Sequence, residues 1–257
     1  MRIQLEGRTA LVLGGTRGLG WSCALALAEA GARVIINGRE PVHGQAAAAQ
    51  LADGVFLAAD LGDGVQRQKM IGAVNDIKAP DIIVTNAGGP PAAPFEETNA
   101  EQWRHAYETN LLGPLEVVRC WLPHMRTQGF GRILNITSFV VKELYPNMAL
   151  SNSLRVGLTG AMGSLAREVA ADGITVNGLL PGLMDTGALK RVIRDRVERQ
   201  GIPESQVRLQ MAQSIPAGRL GSAEDFGALC AFLASDRAAY ITGQNICIDG
   251  GLTRSVI

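Results

Sequence analysis

Two hydroxyls close an apolar run near the middle of the chain. Ile133, Leu134 and Ile136 lead into Thr137 and Ser138, and a helical pattern opening near Ala149 then carries Ser151 and Arg155 four positions apart. Side chains at that spacing share one helix face. A hydroxyl and a permanent cation therefore stand together, close to the end of a strand that carries another hydroxyl. Such a set can hydrogen-bond and polarise a carbonyl oxygen. It is poorly equipped to donate a proton, because a serine hydroxyl is a weak acid and arginine stays protonated. General acid catalysis typically supplies about 10²–10⁴-fold, and Ser151 alone forfeits most of that. Tyr145 and Lys142, in the loop before the helix, offer a phenol and an ammonium that could swing inward. The plainer expectation has Tyr145-Pro146 shaping the loop and Lys142 solvated. A water held between Ser138, Ser151 and Arg155 is a further candidate donor.

A second chemical signal lies near the N-terminus. The turn Gly14-Gly-Thr16-Arg17-Gly18-Leu19-Gly20 follows the apolar run Arg8–Leu13 and opens a helical segment, Trp21–Ala30, that stops at Gly31. Glycines let the backbone approach a pyrophosphate closely, and a helix N-terminus offers free N–H groups and a positive dipole end. The next strand, Val34–Ile36, completes a βαβ unit of the dinucleotide-binding kind. Where an NAD site usually places a carboxylate there is Asn37, with Arg39 two residues on and Arg17 inside the turn. Two guanidiniums and no carboxylate suit a 2′-phosphate. The expected cofactor is NADP(H) rather than NAD(H), although Glu40 could serve a ribose hydroxyl if the strand ran longer.

These groups need a scaffold, and the pattern describes one. Helical segments are expected at 41–52, 65–77, 101–126 (with Pro114 and Pro123 as interruptions), 149–171, 188–213 and 223–234, and strands at 55–58, 81–85, 132–136, 174–180 and 245–248. Alternating strands and helices, with apolar strands buried on both faces, predict an α/β fold: a three-layer, doubly wound, Rossmann-like parallel sheet. No repeat or linker divides the 257 residues, so a single domain over 1–257 is expected, with a helical lid at about 185–213. The lid carries Lys190, Arg191, Arg194, Arg196, Arg199 and Arg208 against Asp185, Asp195, Glu198 and Glu204. This mild basic excess could dock an anionic group, but a solvated amphipathic helix is the preferred reading.

Bulk properties narrow the classes. Net charge is zero and charged residues make up 19% of the chain, which argues against nucleic acid as a partner. There is no apolar run of membrane-spanning length and no apolar signal core, so no membrane and a cytoplasmic location are expected. Cys23, Cys120, Cys230 and Cys247 are widely separated and read as reduced thiols, with no metal site.

Along essentially its whole length the chain resembles the short-chain dehydrogenase/reductase family. The resemblance rests on Gly14-x-x-x-Gly18-x-Gly20, Asp60, Asn86-Ala87-Gly88, Asn110, Ser138, Pro181-Gly182 and Asp249-Gly250-Gly251, in order and at the family's spacing. It implies that Asp60, with Leu61 beside it, meets the adenine, that Asn86, Ala87 and Gly88 line its ribose, and that Pro181, Gly182, Leu183 and Thr186 hold the nicotinamide carboxamide. It further implies that Ser138 orients a substrate carbonyl and that Asn110 anchors a water relay. Two departures stand out. Leu13 replaces the family's threonine before the first glycine, and Ser151 and Arg155 occupy the places of the family's catalytic tyrosine and lysine. A second count, from Arg155 to Asn177, supports that register. Arg155 would keep a charge for the nicotinamide ribose, but the phenol is gone. The leading expectation is an NADP(H)-dependent oxidoreductase that reduces a small-molecule or carrier-bound carbonyl (a 3-oxoacyl group by family frequency), or oxidises the alcohol, with a nonstandard proton donor. Reduction of an imine or activated C=C bond is one alternative; a catalytically inert dinucleotide-binding or assembly protein is another. The resemblance also implies a homodimer or homotetramer, built through the helices at 101–126 and 149–171.

Overall fold

The computed structural model describes residues 3–255. Seven strands form one parallel sheet: β1 Thr9–Val12, β2 Arg33–Gly38, β3 Val55–Ala58, β4 Ile82–Thr85, β5 Gly131–Ile136, β6 Ile174–Pro181 and β7 Asn245–Ile248. Their order is β3-β2-β1-β4-β5-β6-β7, with every neighbouring pair parallel. The order reverses beside β1, which opens a crevice between the carboxyl ends of β1 and β4, the place where doubly wound sheets bind ligands.

Alternation along the strands explains the layers. Ala10 and Val12 of β1 face one core with α1 (Gly18–Glu29), α2 (Pro41–Ala48) and α9 (Ala223–Ala234). Leu11 and Leu13 face the other, with α3 (Gly64–Ile77), α5 (Gly113–Gln128) and α6 (Ala149–Val169). Successive strand side chains point to opposite faces, so a strand covered on both sides must be apolar throughout. β1 and β4 are accordingly buried at every position.

Two expected helices are divided. The 101–126 pattern becomes α4 (Ala100–Tyr107), a π-helical turn at Glu108–Leu112 and α5. The break falls at the π-turn; Pro114 follows it in the first turn of α5, where a missing N–H costs nothing. Pro123 lies inside α5, which runs on to Gln128. The 188–213 pattern becomes α7 (Gly187–Gln200) and α8 (Glu204–Gln213), separated because Gly201 adopts a left-handed φ of 64° and Pro203 cannot continue a helix. These two helices bury a small core of their own, Leu189, Ile193, Val207 and Met211.

At the opposite end of the sheet from the crevice, Arg132 is only 2% exposed. It donates to the carbonyls of Gly131, Gly173 and Ser235 and lies over the Phe130 ring. It ties β5, β6 and α9 together at the end away from the crevice.

Candidate active site

The glycine turn is held from two sides. Gly15 N–H donates to the Asn37 carbonyl at 2.9 Å, and Asn86 Nδ2 at the end of β4 donates to the Gly14 carbonyl at 3.1 Å. Gly14 and Gly18 have φ of 56° and 60°. A methyl at Gly20 would lie 2.3 Å from the Gly14 carbonyl oxygen, so this position admits no side chain without movement. Arg17 occupies the N-cap of α1 in extended conformation, offers no capping bond, and no acidic side chain sits in the first turn. The α1 N–H groups and dipole end thus remain available for an anion. A close-approach glycine cradle below an uncapped helix end fits a pyrophosphate.

At the neighbouring strand ends, Arg39 and Asp60 stand 3.8 Å apart with Arg39 63% exposed. Asp60 Oδ1 accepts from Gly62 N–H, and the Thr16 side chain packs on Gly38. Arg17, Arg39 and Glu40 are exposed around the same rim, while Leu61 is buried beneath it. Asn37 corrects the expectation. It is 1% exposed, and its carboxamide donates to the Leu57 and Ala59 carbonyls of β3 and the loop after it. On β2 its side chain points along the sheet to β3, so it binds strand to strand and not a ribose. The cationic character of the rim rests on Arg17 and Arg39.

Beyond β4, the hydroxyl and cation side chains converge. Arg155 Nε donates to Ser151 Oγ at 3.1 Å; Nη1 donates to the carbonyls of Ile136 (3.4 Å) and Thr137. One planar group thereby joins helix α6 to the end of β5, next to Ser138. The remaining nitrogen, Nη2, makes no hydrogen bond among the described residues and faces Gly89, whose added Cβ would lie 3.6 Å away. Among the described residues no carboxylate pairs with Arg155, and burial pushes its pKa down to about 10. Ser151 is 4% exposed. Ser138 is half-buried, and its Oγ accepts from Val140 N–H at 3.4 Å. Both hydroxyl oxygens therefore accept from N–H groups, and among the described residues neither donates.

Asn110 sits in the π-turn, 6% exposed, with its carboxamide donating to the Ala106 carbonyl at 3.2 Å. Asn110, Asn86, Thr137 and Arg155 line a cavity of about 10 Å³, space for about one water. Thr137 Oγ1 nearby is buried without a hydrogen-bond partner among the described residues. Nothing in the composition marks the π-turn in advance, and the back-folding of Arg155 onto main-chain carbonyls is likewise invisible in a residue count.

Tyr145 is not gathered into this cluster. It is 45% exposed, its ring stands edge-on to Phe139 at 5.4 Å, and its carbonyl accepts from Asn152 Nδ2. Lys142 ends a short 3-10 turn and is half-buried. Across the crevice, Gly182 N–H donates to the Ile248 carbonyl, and Asp249 packs where a Gly182 side chain would be. Thr186, the N-cap of α7, lies 3.9 Å from the position of a Cβ on Gly18. The loop Leu183–Thr186 thus borders the glycine turn. Arg208 of α8 ties this loop down through Asp185 at 3.3 Å and also pairs with Glu204 at 2.7 Å.

Comparison with known proteins agrees with this fold. A family model described as enoyl-(acyl carrier protein) reductase matches residues 14–253. The chain is 36% identical to the 3-oxoacyl-[acyl-carrier-protein] reductase FabG of Haemophilus influenzae, over 96% of this chain and 99% of that one. It is 30% identical to the NADPH-dependent reductase BacG of Bacillus subtilis, over 98% and 100%. The crystal structure of L-sorbose reductase from Gluconobacter frateurii, complexed with NADPH and L-sorbose, superposes with a TM-score of 0.95 at 25% identity and covers 100% of both chains.

Proposed function

The chain belongs to the short-chain dehydrogenase/reductase family, and we propose that it is an NADP(H)-dependent oxidoreductase acting on a carbonyl-bearing substrate. One observation carries this reading: the glycine turn under the uncapped α1 N-terminus is strapped by Asn86, which lines one cavity with Asn110, Thr137 and Arg155. The bound dinucleotide would supply a hydride. The Gly14–Gly20 turn would hold its pyrophosphate, and Arg17 and Arg39 its 2′-phosphate. Asp60 and Leu61 would border the adenine, Asn86-Ala87-Gly88 the adenosine ribose, and Leu183 and Thr186 the carboxamide. NADPH-dependent relatives support the choice of cofactor.

In this reading Ser138 donates to the substrate oxygen. Ser151 and Arg155 hold the places of the family's tyrosine and lysine, and Arg155 Nη2 is the free edge from which a ribose hydroxyl can be bound. The residues 185–213, α7 and α8, form the lid, tethered by Asp185–Arg208. The substrate class includes 3-oxoacyl groups on a carrier, as the FabG relative suggests. Pairing through α4–α5 and α6 would give a homodimer or homotetramer. Reduction of an activated C=C bond is the second reading, favoured because among the described residues no phenol or ammonium bonds to Ser138, Ser151 or Arg155.

The test is direct. NADPH and NADH binding are measured by fluorescence titration, then NADPH oxidation is followed with a panel of ketones, imines and enones. Tighter binding of NADPH and turnover of ketones or enones are expected. Failure to bind either dinucleotide removes the proposal; binding with no turnover across the panel would leave a cofactor-binding protein without this activity.

A further inference from the structure

Arg67, in the first turn of α3, is 3% exposed and reaches three separate segments. Its Nη1 donates to the Leu61 carbonyl in the loop after β3. Its Nη2 pairs with Glu108 at 3.3 Å and its Nε with Glu116 at 2.8 Å. The two carboxylates flank Asn110: Glu108 opens the π-turn that carries it, and Glu116 lies in the first turn of α5. Glu116 stands eight positions after Glu108. In an unbroken α-helix that interval sets two side chains about 80° apart around the axis. A π-turn takes up one extra residue, which returns them to within about 20° of one face. The bond from Gly113 N–H to the Glu108 carbonyl, five residues back, is that wider turn. One rigid fork meets both carboxylates because the turn is π and not α.

The loop after β3 fits the same turn closely. A Cβ on Gly62 would lie 2.7 Å from Thr109 Oγ1, and one on Gly113 would lie 2.9 Å from the carbonyl oxygens of both Leu61 and Glu108. Loop and turn therefore meet with no room for a side chain between them. On its other side the turn brings Asn110 to the small cavity it lines with Asn86, Thr137 and Arg155. We propose that Arg67 is a positioning residue: with Glu108 and Glu116 it latches the π-turn and so holds Asn110 at that cavity. The proposal rests on the oxidoreductase reading above and on the water-holding role that the family resemblance gives Asn110. Arg67 acts through the turn and not on the reacting atoms. Without the fork, the extra residue is free to migrate along the helix and carries Asn110 out of place. Because the same guanidinium holds the Leu61 carbonyl, the rim assigned to the adenine and the turn beside it share one anchor.

The test compares the parent with Arg67→Met and Glu108→Ala. The first removes the fork. The second removes one carboxylate whose side chain is 36% exposed and leaves the bonds to Leu61 and Glu116, so it serves if Arg67→Met does not fold. Amide hydrogen exchange is followed over the whole chain. Exchange at residues 109–113 is expected to rise about tenfold or more, with the sheet and α5 beyond Val117 unchanged. NADPH oxidation is then followed with the same ketones and enones. A misplacement of about 1 Å can cost about a hundredfold, so kcat is expected to fall about tenfold or more. The Kd of NADPH in Glu108→Ala should stay within about threefold of the parent. Unchanged exchange at 109–113, or a rise spread evenly over every element, would overturn the latch. A parental kcat with a loosened turn would overturn the positioning role, as would losses that multiply when Glu108→Ala is combined with Asn110→Ala. A parent that turns over nothing fails the oxidoreductase reading instead, and the exchange pattern still decides the latch.

Discussion

Gly20→Ala tests the cradle most sharply, because the added atom meets main chain and not a movable side chain. The methyl would lie 2.3 Å from the Gly14 carbonyl oxygen and 2.8 Å from Asn86 Nδ2. A carbon seeks an oxygen at about 3.3 Å or beyond, so a gap of about 1 Å must open. The atoms that must part are the two ends of the Asn86–Gly14 hydrogen bond, which straps the turn to β4. Overpacking of this kind costs about 1–3 kcal/mol and a lost hydrogen bond about 1 kcal/mol. In the free protein the turn can relax outward and shed part of that strain. Binding a pyrophosphate demands the tight form, so the cost falls mainly on affinity. A penalty of about 2 kcal/mol reads as a Kd for NADPH raised about thirtyfold. Fluorescence titration gives the Kd, and thermal unfolding of the free variant gives the part absorbed by the fold. A Kd within about threefold of the parent, with an unchanged melting temperature, would mean that the turn does not approach its ligand as its geometry implies.

Arg155 sets a pH prediction. Burial lowers its pKa to about 10, so the cation persists through neutral pH, and the rate of the hydride step should be flat across that range and fall as pH rises through about 10. That loss should be of activity and not of fold: for a base with a lowered pKa the burial penalty is present below the folded pKa and relieved above it. A rate falling between pH 7 and 8, by about tenfold per pH unit, would assign the step to another titrating group. Arg132→Met removes the donor for three main-chain carbonyls at a site 2% exposed. Its partner Asp236 is 78% exposed, so the ion pair itself counts for little; the orphaned carbonyls should cost about 3–5 kcal/mol in urea unfolding, and a loss below about 1 kcal/mol would refute that account. Gly72→Ala lies inside α3 with nothing within 4 Å of the new methyl. It should stabilise by about 0.5–1 kcal/mol, and a lower melting temperature would reveal a partner at that helix face.

The fold was legible because strands buried on both sides leave no choice of composition. Ile82-Ile-Val-Thr85 and Ile174–Leu180 cannot be loops or amphipathic helices, and their alternation with helical patterns leaves a parallel sheet. The glycine turn was legible for a related reason: close approach of backbone to backbone needs residues without side chains. Direction within the sheet was harder to read. Asn37 stands at the expected strand end, yet whether its carboxamide turns to a ligand or to β3 depends on the neighbour's register, Asn37 against Leu57. The 188–213 segment failed differently. Its charge pattern runs on through Gly201 and Pro203, and backbone geometry, not amphipathicity, divides α7 from α8. The π-turn holding Asn110 has no compositional mark at all, since it redistributes hydrogen bonds within a continuous helical sequence.

The cluster of Ser138, Ser151 and Arg155 lies between these cases. Spacing alone puts Ser151 and Arg155 on one face of α6, but not what the guanidinium does there. The last rung between β4 and β5 pairs Thr85 with Asn135. Beyond it, the Ile136 and Thr137 carbonyls run past the end of β4 and need donors. Arg155 supplies them. Its first task is therefore structural, closing the end of β5 onto α6. That task also fixes the chemistry. Nη1 is spent on the main chain, Nε on Ser151, and only Nη2 is left to face the crevice beside Gly89. A cation anchored by backbone carbonyls does not have to reorganise when charge develops near it, which is the condition under which a fixed dipole or charge lowers a barrier most. A lysine in its place could not span both the Thr137 carbonyl and Ser151 with one rigid group, so the short hydroxyl and the forked cation are mutually dependent. Each makes sense of the other.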